Sequence, residues 1–299
     1  MTDAPSPPPV FTPEQLVGGL VALLTVEELD VDLYRGARLP GGRGRVFGGQ
    51  VIAQALRAAM RSAEGYAPHS LHAYFLRPGD DALPIIYRVE RDFDGKSFVN
   101  RRVIALQRGQ PILNIAASFS RPEEGFAHQA DMPVVPPPED LISDAELRRR
   151  EKEVHGDAAP KWLTRQNPIE MRPVSPRSVV TPDVRAPYSA LWFKTAAPVI
   201  GDDDVHRAIL CFVTDMMLLG TSMLPHGASW ITPGMQTASI DHAVWLHETP
   251  KVDDWLLYAT DSPWAGHGRG FNRGSIYTRE GRLIASVAQE GLIRKREPR

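Results

Sequence analysis

From Ala208 to Leu219 the chain is almost without polar residues, so a helix here is apolar all round. Such a helix belongs inside a protein, enclosed on several sides. One carboxylate, Asp215, interrupts the run. A buried carboxylate is costly unless it is hydrogen-bonded, paired or put to use. Two readings stand: Asp215 ends the helix, with Met216 to Leu219 opening a new element, or it is a functional group held in the core.

The remaining pattern alternates between helical and strand periods. Pro13 to Leu24 predicts a short amphipathic helix with proline in its first turn, and Val26 to Tyr34 a strand. A glycine-dense loop, Pro40 to Gln50, runs into a second helix on which Val51, Ala55, Leu56 and Ala59 form the apolar stripe and Gln54, Arg57 and Arg61 share another face. Gly48, Gly49 and Gln50 stand where that helix begins. Glycines there allow a tight turn and close backbone approach, and their N–H groups can face an anion. Four strands follow, at Leu71 to Arg77, Pro84 to Glu90, Ser97 to Leu106 and Pro111 to Ser120, separated by the turn sequences RPGDD, DFDG and QRGQP.

Residues 121–187 change character. Prolines cluster, a charged helix is predicted near Asp144 to Glu153, and the stretch reads as a long connection along the surface. Thereafter the pattern returns: a strand at Tyr188 to Thr195, the buried helix, then strands at Ser239 to Glu248, Trp255 to Asp261, Gly270 to Thr278 and Arg282 to Leu292.

The halves superpose as sequences. HAYFLR lies over HAVWLH at an offset of 170 (247 − 77), PIIYRVE over WLLYATD at 171 (258 − 87), and GQPILNIAASF over GRLIASVAQEG at 172 (281 − 109). The slow drift indicates an internal duplication. It predicts an α+β protein of two fused repeats, each an antiparallel sheet around a central helix: residues 1–125, a Pro-rich connection over 126–187, and residues 188–299.

Composition narrows the function. A chain of 299 residues with 42% hydrophobic content builds substantial cores. Its net charge of −2 and pI near 6.5 give no general attraction to nucleic acid or an anionic membrane. No apolar run approaches the roughly 20 residues of a membrane span. The N-terminal stretch lacks the layout of a secretory signal and reads as a disordered lead-in, and the C-terminal KREPR is not an SKL-type signal. The one cysteine, Cys211, leaves no intrachain disulfide. A cytoplasmic protein is expected. There is no G-x-S-x-G or H-E-x-x-H string, and Asp94-Gly95-Lys96-Ser97 lacks the first glycine of a P-loop.

The string RVFGGQVIAQAL, followed by SLHAYFLRPGD and PIIYRVERDFDGKSF, resembles the acyl-CoA thioesterase II (TesB-like) family. So do ITPGMQTASIDHAVWLH, DDWLLYATDSPWAGHGRGF and ASVAQEGLIR in the second half, and the likeness extends from about Leu16 to Arg294. It implies a double hotdog fold, hydrolysis of an acyl-CoA thioester by activated water with no covalent intermediate, metal or other cofactor, and self-association into homo-oligomers. The family's Asp falls on Asp215, its Gln on Gln289, and its hydroxyl residue on Ser239, where threonine is more usual. Serine keeps the hydroxyl and loses the methyl that restricts its rotamer.

By the offsets, Ser239 corresponds to His69 (239 − 170) and Gln289 to Ala117 (289 − 172), so one site per chain is expected, built from the second repeat, with the first contributing walls and a candidate path for the nucleotide. Asp241 and His242, as strand neighbours, point to opposite faces and are read as structural. Arg43, Arg45, Arg101, Arg102, His267, Arg269 and Arg273 are candidates for CoA phosphates, since guanidinium groups suit phosphate geometry, although a solvated surface explains most side chains of this type. An enoyl-CoA hydratase, which needs an Asp–His pair in one site, and a non-catalytic acyl-CoA-binding protein are the rival readings.

Overall fold

The computed structural model describes residues 10–39 and 44–296. The N-terminal lead-in over 1–9, Arg43 and the last three residues of KREPR lie outside them. In chain order the elements are α1 (Pro13–Leu24), β1 (Val26–Asp30), β2 (Leu33–Gly36), α2 (Gly48–Arg61), β3 (Ala67–Phe75), β4 (Ile85–Asp94), β5 (Phe98–Gln107) and β6 (Gln110–Ser120). Then come α3 (Asp144–His155), β7 (Ile169–Pro173), β8 (Tyr188–Thr195), α4 (Asp203–Met217), β9 (Met235–Ser239), β10 (Asp241–Leu246), β11 (Leu256–Gly266), β12 (Arg269–Thr278) and β13 (Leu283–Lys295). This is the expected α+β double hotdog.

All strands join one antiparallel sheet in the order β1-β2-β4-β5-β6-β3-β10-β13-β12-β11-β8-β7, with β9 on the end of β13. The halves meet where β3 pairs with β10, from Asp241 opposite Tyr74 to Trp245 opposite Ser70. Both α2 and α4 pack into the sheet and against each other. Ile52, Leu56, Ile209 and Leu210 are fully enclosed, each worth roughly 1.5–3 kcal/mol of burial.

Local chemistry accounts for the helix ends. Thr12 and Gln15 form a reciprocal capping box at the start of α1, and the Asp202 carboxylate accepts the Val205 N–H at the start of α4. Val26 to Tyr34 is a hairpin rather than one strand, turning at Asp32 in the left-handed region (φ 56°). The predicted strand over Ser239 to Glu248 is likewise two, β9 and β10. Gln54, read as part of a polar face, is wholly buried: its amide nitrogen bonds the Leu23 and Ala37 carbonyls, and its oxygen accepts from Tyr87.

The α-helix ends at Met217 and continues as a 3-10 segment, Leu218–His226. Together they span 24 residues, long and apolar enough by composition to cross a membrane, which the sequence reading did not anticipate. Of the most apolar 18 residues in that stretch, 61% are buried inside the protein, as for the core helix of a globular fold.

Strand pairing confirms the duplication and corrects one register. Arg101 opposite Ala117 is matched by Asn272 opposite Gln289, at offsets of 171 (272 − 101) and 172 (289 − 117). In the first block, however, the pair Ala73–Ile115 is matched by Val244–Val287, an offset of 171 (244 − 73) rather than 170. A slip of one residue turns a side chain to the other face. The counterpart of His242 is therefore buried Leu71, not exposed His72. Likewise Pro68–Phe119 is matched by Ser239–Gly291, so Ser239 stands over Pro68 rather than His69.

Removing the buried amide tests this packing. Gln54→Leu leaves the Tyr87 hydroxyl and the Leu23 carbonyl without these partners, while the Ala37 carbonyl keeps Gln50, at about 1–3 kcal/mol for each orphaned group. A clear drop in the urea midpoint is expected, and an unchanged midpoint would show that the amide contributes nothing.

Candidate active site

Asp215 lies in the last turn of α4, which runs on to Met217 before the change to 3-10 geometry at Leu218, so the residue does not itself end the helix. Ser239 reaches it from the end of β9 and Gln289 from the middle of β13. The Ser239 hydroxyl donates to Asp215 Oδ1 at 3.1 Å, and Gln289 Nε2 donates to the same oxygen at 2.6 Å. Gln289 Nε2 also lies 3.1 Å from Ser239 Oγ. The three residues predicted from the sequence thus form one hydrogen-bonded cluster.

The first repeat supplies the fourth wall. At the start of α2, the Gly49 N–H donates to the Asp215 carboxylate, using a donor that the first turn of a helix leaves without an internal acceptor. Neither glycine here tolerates a side chain. A Cβ on Gly48 would sit 2.6 Å from Asp215 Oδ2, and one on Gly49 would sit 2.5 Å from the Phe212 carbonyl oxygen. The helix start of the first repeat thus supplies a wall of a site whose side chains come from the second.

Burial dominates the electrostatics. It raises the Asp215 pKa to about 6, against the opposing effect of bonds from Gln289, Ser239 and Gly49. Removal from water disfavours the charged form.

His242, read as structural, lies directly beneath the cluster. The opposite-faces argument was sound, for Asp241 turns away to accept the Glu290 N–H at 2.7 Å. It said nothing about what lies on the inner face. There His242 Nδ1 is 3.1 Å from Gln289 Nε2, and Nε2 is 2.9 Å from Thr214 Oγ1. Burial drives the pKa of His242 down to about 3, so the ring is neutral. Its place in an alternating strand gave no signal of this partnership. Asn272, opposite Gln289, is also fully enclosed. Its Oδ1 and Gln289 Oε1 have no partner among the described residues.

The cluster opens into a cavity of about 980 Å³, within the usual size range of small-molecule sites. Phe75, Leu113, Met216 and Leu219 line it from the repeats. The Pro-rich connection contributes more than surface: Leu147, Trp162, Leu163 and Met171 form another wall, and β7 extends the sheet. Arg45 lines the cavity, as do Arg77, Arg148 and Arg177, three arginines that nothing in the sequence distinguished.

Several predicted binding residues sit elsewhere. Arg101 is buried, and Ser62, Asp94 and the carbonyls of Phe93 and Asn100 saturate it. It occupies, in the first repeat, the strand position that Asn272 holds in the second. Gln50 is turned to the Ala37 carbonyl. His267 and Arg269 lie in and beside the exposed β11–β12 turn, where Arg269 pairs with Glu290 and covers the Trp264 ring. Arg102 and Arg273 are exposed and paired with acidic neighbours. None of these side chains lines the cavity.

The chain is similar to known proteins along most of its length. The sequence models of the acyl-CoA thioesterase N-terminal and C-terminal domains match residues 37–120 and 138–293. The chain is 38% identical over 289 residues to acyl-coenzyme A thioesterase 8 of Homo sapiens, covering 92% of this chain and 88% of that protein. It is 36% identical over 280 residues to acyl-CoA thioesterase 2 of Haemophilus influenzae, covering 93% and 98%. The crystal structure of the acyl-CoA thioesterase II TesB2 from Mycobacterium marinum superposes with a TM-score of 0.76 at 38% identity, over 92% of this chain and 98% of that one.

A raised carboxylate pKa has a consequence for stability. The folded value of about 6 lies above the ordinary carboxylate value of 3.8. The folded state therefore gains from binding the proton below pH 4, and that gain is lost as pH rises through 6, by up to about 3 kcal/mol. Asp215→Asn, which stays neutral, is expected to melt above the wild type at pH 8, with the advantage shrinking toward pH 4. Equal melting temperatures at both pH values would contradict the strained carboxylate.

Proposed function

The chain belongs to the acyl-CoA thioesterase family and is an acyl-CoA thioester hydrolase. From that premise we propose that it releases a free fatty acid and CoA through a water molecule activated by Asp215, with Ser239 and Gln289 holding the water and the carboxylate in place. The observation that carries the proposal is the convergence of these three side chains and the start of α2 on one buried carboxylate at the wall of a large, mainly apolar cavity.

The chemistry follows from the groups present. Asp215 removes a proton as the water oxygen bonds to the thioester carbon, and the carbonyl oxygen becomes an anion. With the Gly49 N–H turned to Asp215 and the Gln50 N–H to the Phe47 carbonyl, the Gly48 N–H is the candidate donor to that anion, where the helix dipole also favours negative charge. Collapse of the adduct breaks the C–S bond and expels the CoA thiolate. A thiol titrates near about 8.5, so Asp215, at about 6, can return its proton downhill to the sulfur. Both ring nitrogens of His242 are engaged by Gln289 and Thr214. That speaks against the exposed Asp–His pair of a hydratase.

The proposal extends to the surroundings. Arg45, Arg77 and Arg177 at the cavity wall are the candidate partners of the CoA phosphates. The exposed Tyr74, Phe98 and Tyr188 fit a self-associating protein. A cytoplasmic enzyme fits the single, buried Cys211. Light scattering and cell fractionation test the last two points.

Free-thiol release from a panel of acyl-CoAs is the direct test. Wild type hydrolyses them, and Asp215→Asn loses about a hundredfold or more in kcat. For the wild type, log kcat/KM is expected to climb by one per pH unit up to about pH 6 and then level off, because the base must be ionised. Activity that survives Asp215→Asn would move the chemistry elsewhere, and acyl-CoA binding without hydrolysis by the wild type would favour a binding protein.

A further inference from the structure

We propose that His242, itself held by Thr214, is a positioning residue that fixes the orientation of the Gln289 amide and, through it, the Asp215 carboxylate. The inference rests on the water-activation reading of the same site and adds a layer beneath it.

The argument is one of hydrogen-bond direction. The Thr214 hydroxyl has one proton, and it goes to the Cys211 carbonyl at 2.8 Å, since a carbonyl oxygen can only accept. Toward His242 Nε2, 2.9 Å away, Thr214 Oγ1 must then act as acceptor, so Nε2 carries the ring proton. The ring is 1% exposed with no acidic partner, which keeps it neutral and leaves Nδ1 bare. A bare Nδ1 at 3.1 Å accepts from the Gln289 amide nitrogen. The second amide proton points between Asp215 Oδ1 at 2.6 Å and Ser239 Oγ at 3.1 Å, whose own proton goes to the same carboxylate oxygen.

Every link is thus oriented from the Cys211 carbonyl outward. The reversed amide would set Gln289 Oε1 against the Nδ1 lone pair and against the carboxylate at once. Tyr258 secures the base of the chain by donating to the Thr214 carbonyl at 2.9 Å. The first repeat shows what happens to the position without the function. There the counterparts of Ser239, His242 and Gln289 are Pro68, Leu71 and Ala117, so the histidine is missing where the amide it would hold is missing too.

The test is a mutant cycle read by thiol release from an acyl-CoA. His242→Leu places on β10 the residue that the first repeat carries there. A tenfold or larger fall in kcat is expected, with KM within about twofold. His242→Asn, whose amide oxygen replaces the Nδ1 acceptor, should recover most of that loss, and Thr214→Val, which frees the tautomer, should fall between the two. In the Gln289→Ala background His242→Leu should cost less than about a further twofold, because its effect passes through the missing amide. A folded His242→Leu with wild-type kcat, or losses that multiply in the double variant, overturns the proposal. If His242→Leu does not melt cooperatively, Thr214→Val alone and with Gln289→Ala decides by the same criterion. The two readings fail separately: an active wild type with an inert Asp215→Asn upholds the water-activation reading whatever His242 does, whereas a wild type without hydrolysis removes both.

Discussion

Everything at the centre of this molecule depends on keeping the Asp215 carboxylate out of water. A bare carboxylate in such a place would take up a proton or tear the packing open. Here three donors reach it from different parts of the chain: Gln289 from β13, Ser239 from β9 and the Gly49 N–H from α2. They lower its pKa and burial raises it, and the balance leaves it near 6. In the proposed mechanism, that compromise suits one group to accept a proton from water and give it to a departing thiolate.

The fold meets this demand by joining two copies of one unit unequally. The β3–β10 pairing makes the two half-sheets continuous and sets the start of α2 against the end of α4. Glycine at 48 and 49 lets the helices come close enough for a backbone N–H to touch the carboxylate, since any Cβ would collide. In the first repeat the equivalent inner-face positions hold Pro68, Leu71, Arg101 and Ala117, of which only Arg101 is charged, and Ser62 and Asp94 tie it down. One copy became structure while the other kept the polar cluster. The Pro-rich connection then encloses the cavity with side chains that belong to neither repeat.

Long, strongly patterned elements were legible in the sequence. The apolar run around Asp215, the strand at Tyr188 to Thr195 and the duplication all follow from periodicity, because core and surface impose their periods directly on the chain. The places where reading failed are those where a side chain's fate is decided by a neighbour distant in sequence. Gln54 and Arg101 look like surface residues, yet they are the buried polar ties of the first repeat. The alignment offset at HAYFLR was one residue out because apolar identities there fit either register. Only the pairing of Ala73 with Ile115 and of Val244 with Val287 resolves which face each residue takes.

By itself, then, the sequence determined the architecture and, through family resemblance, the three residues that meet at the carboxylate. Both are carried by patterns and motifs written along the chain. The tertiary structure alone decided that the Gly49 N–H reaches Asp215 in particular, that His242 and Thr214 stand behind Gln289, and that Arg77, Arg148 and Arg177 face the cavity while Arg101, His267 and Arg269 do not. These are relations between segments far apart in the chain. Distance and direction between such groups come into being only when the sheet closes around its helices.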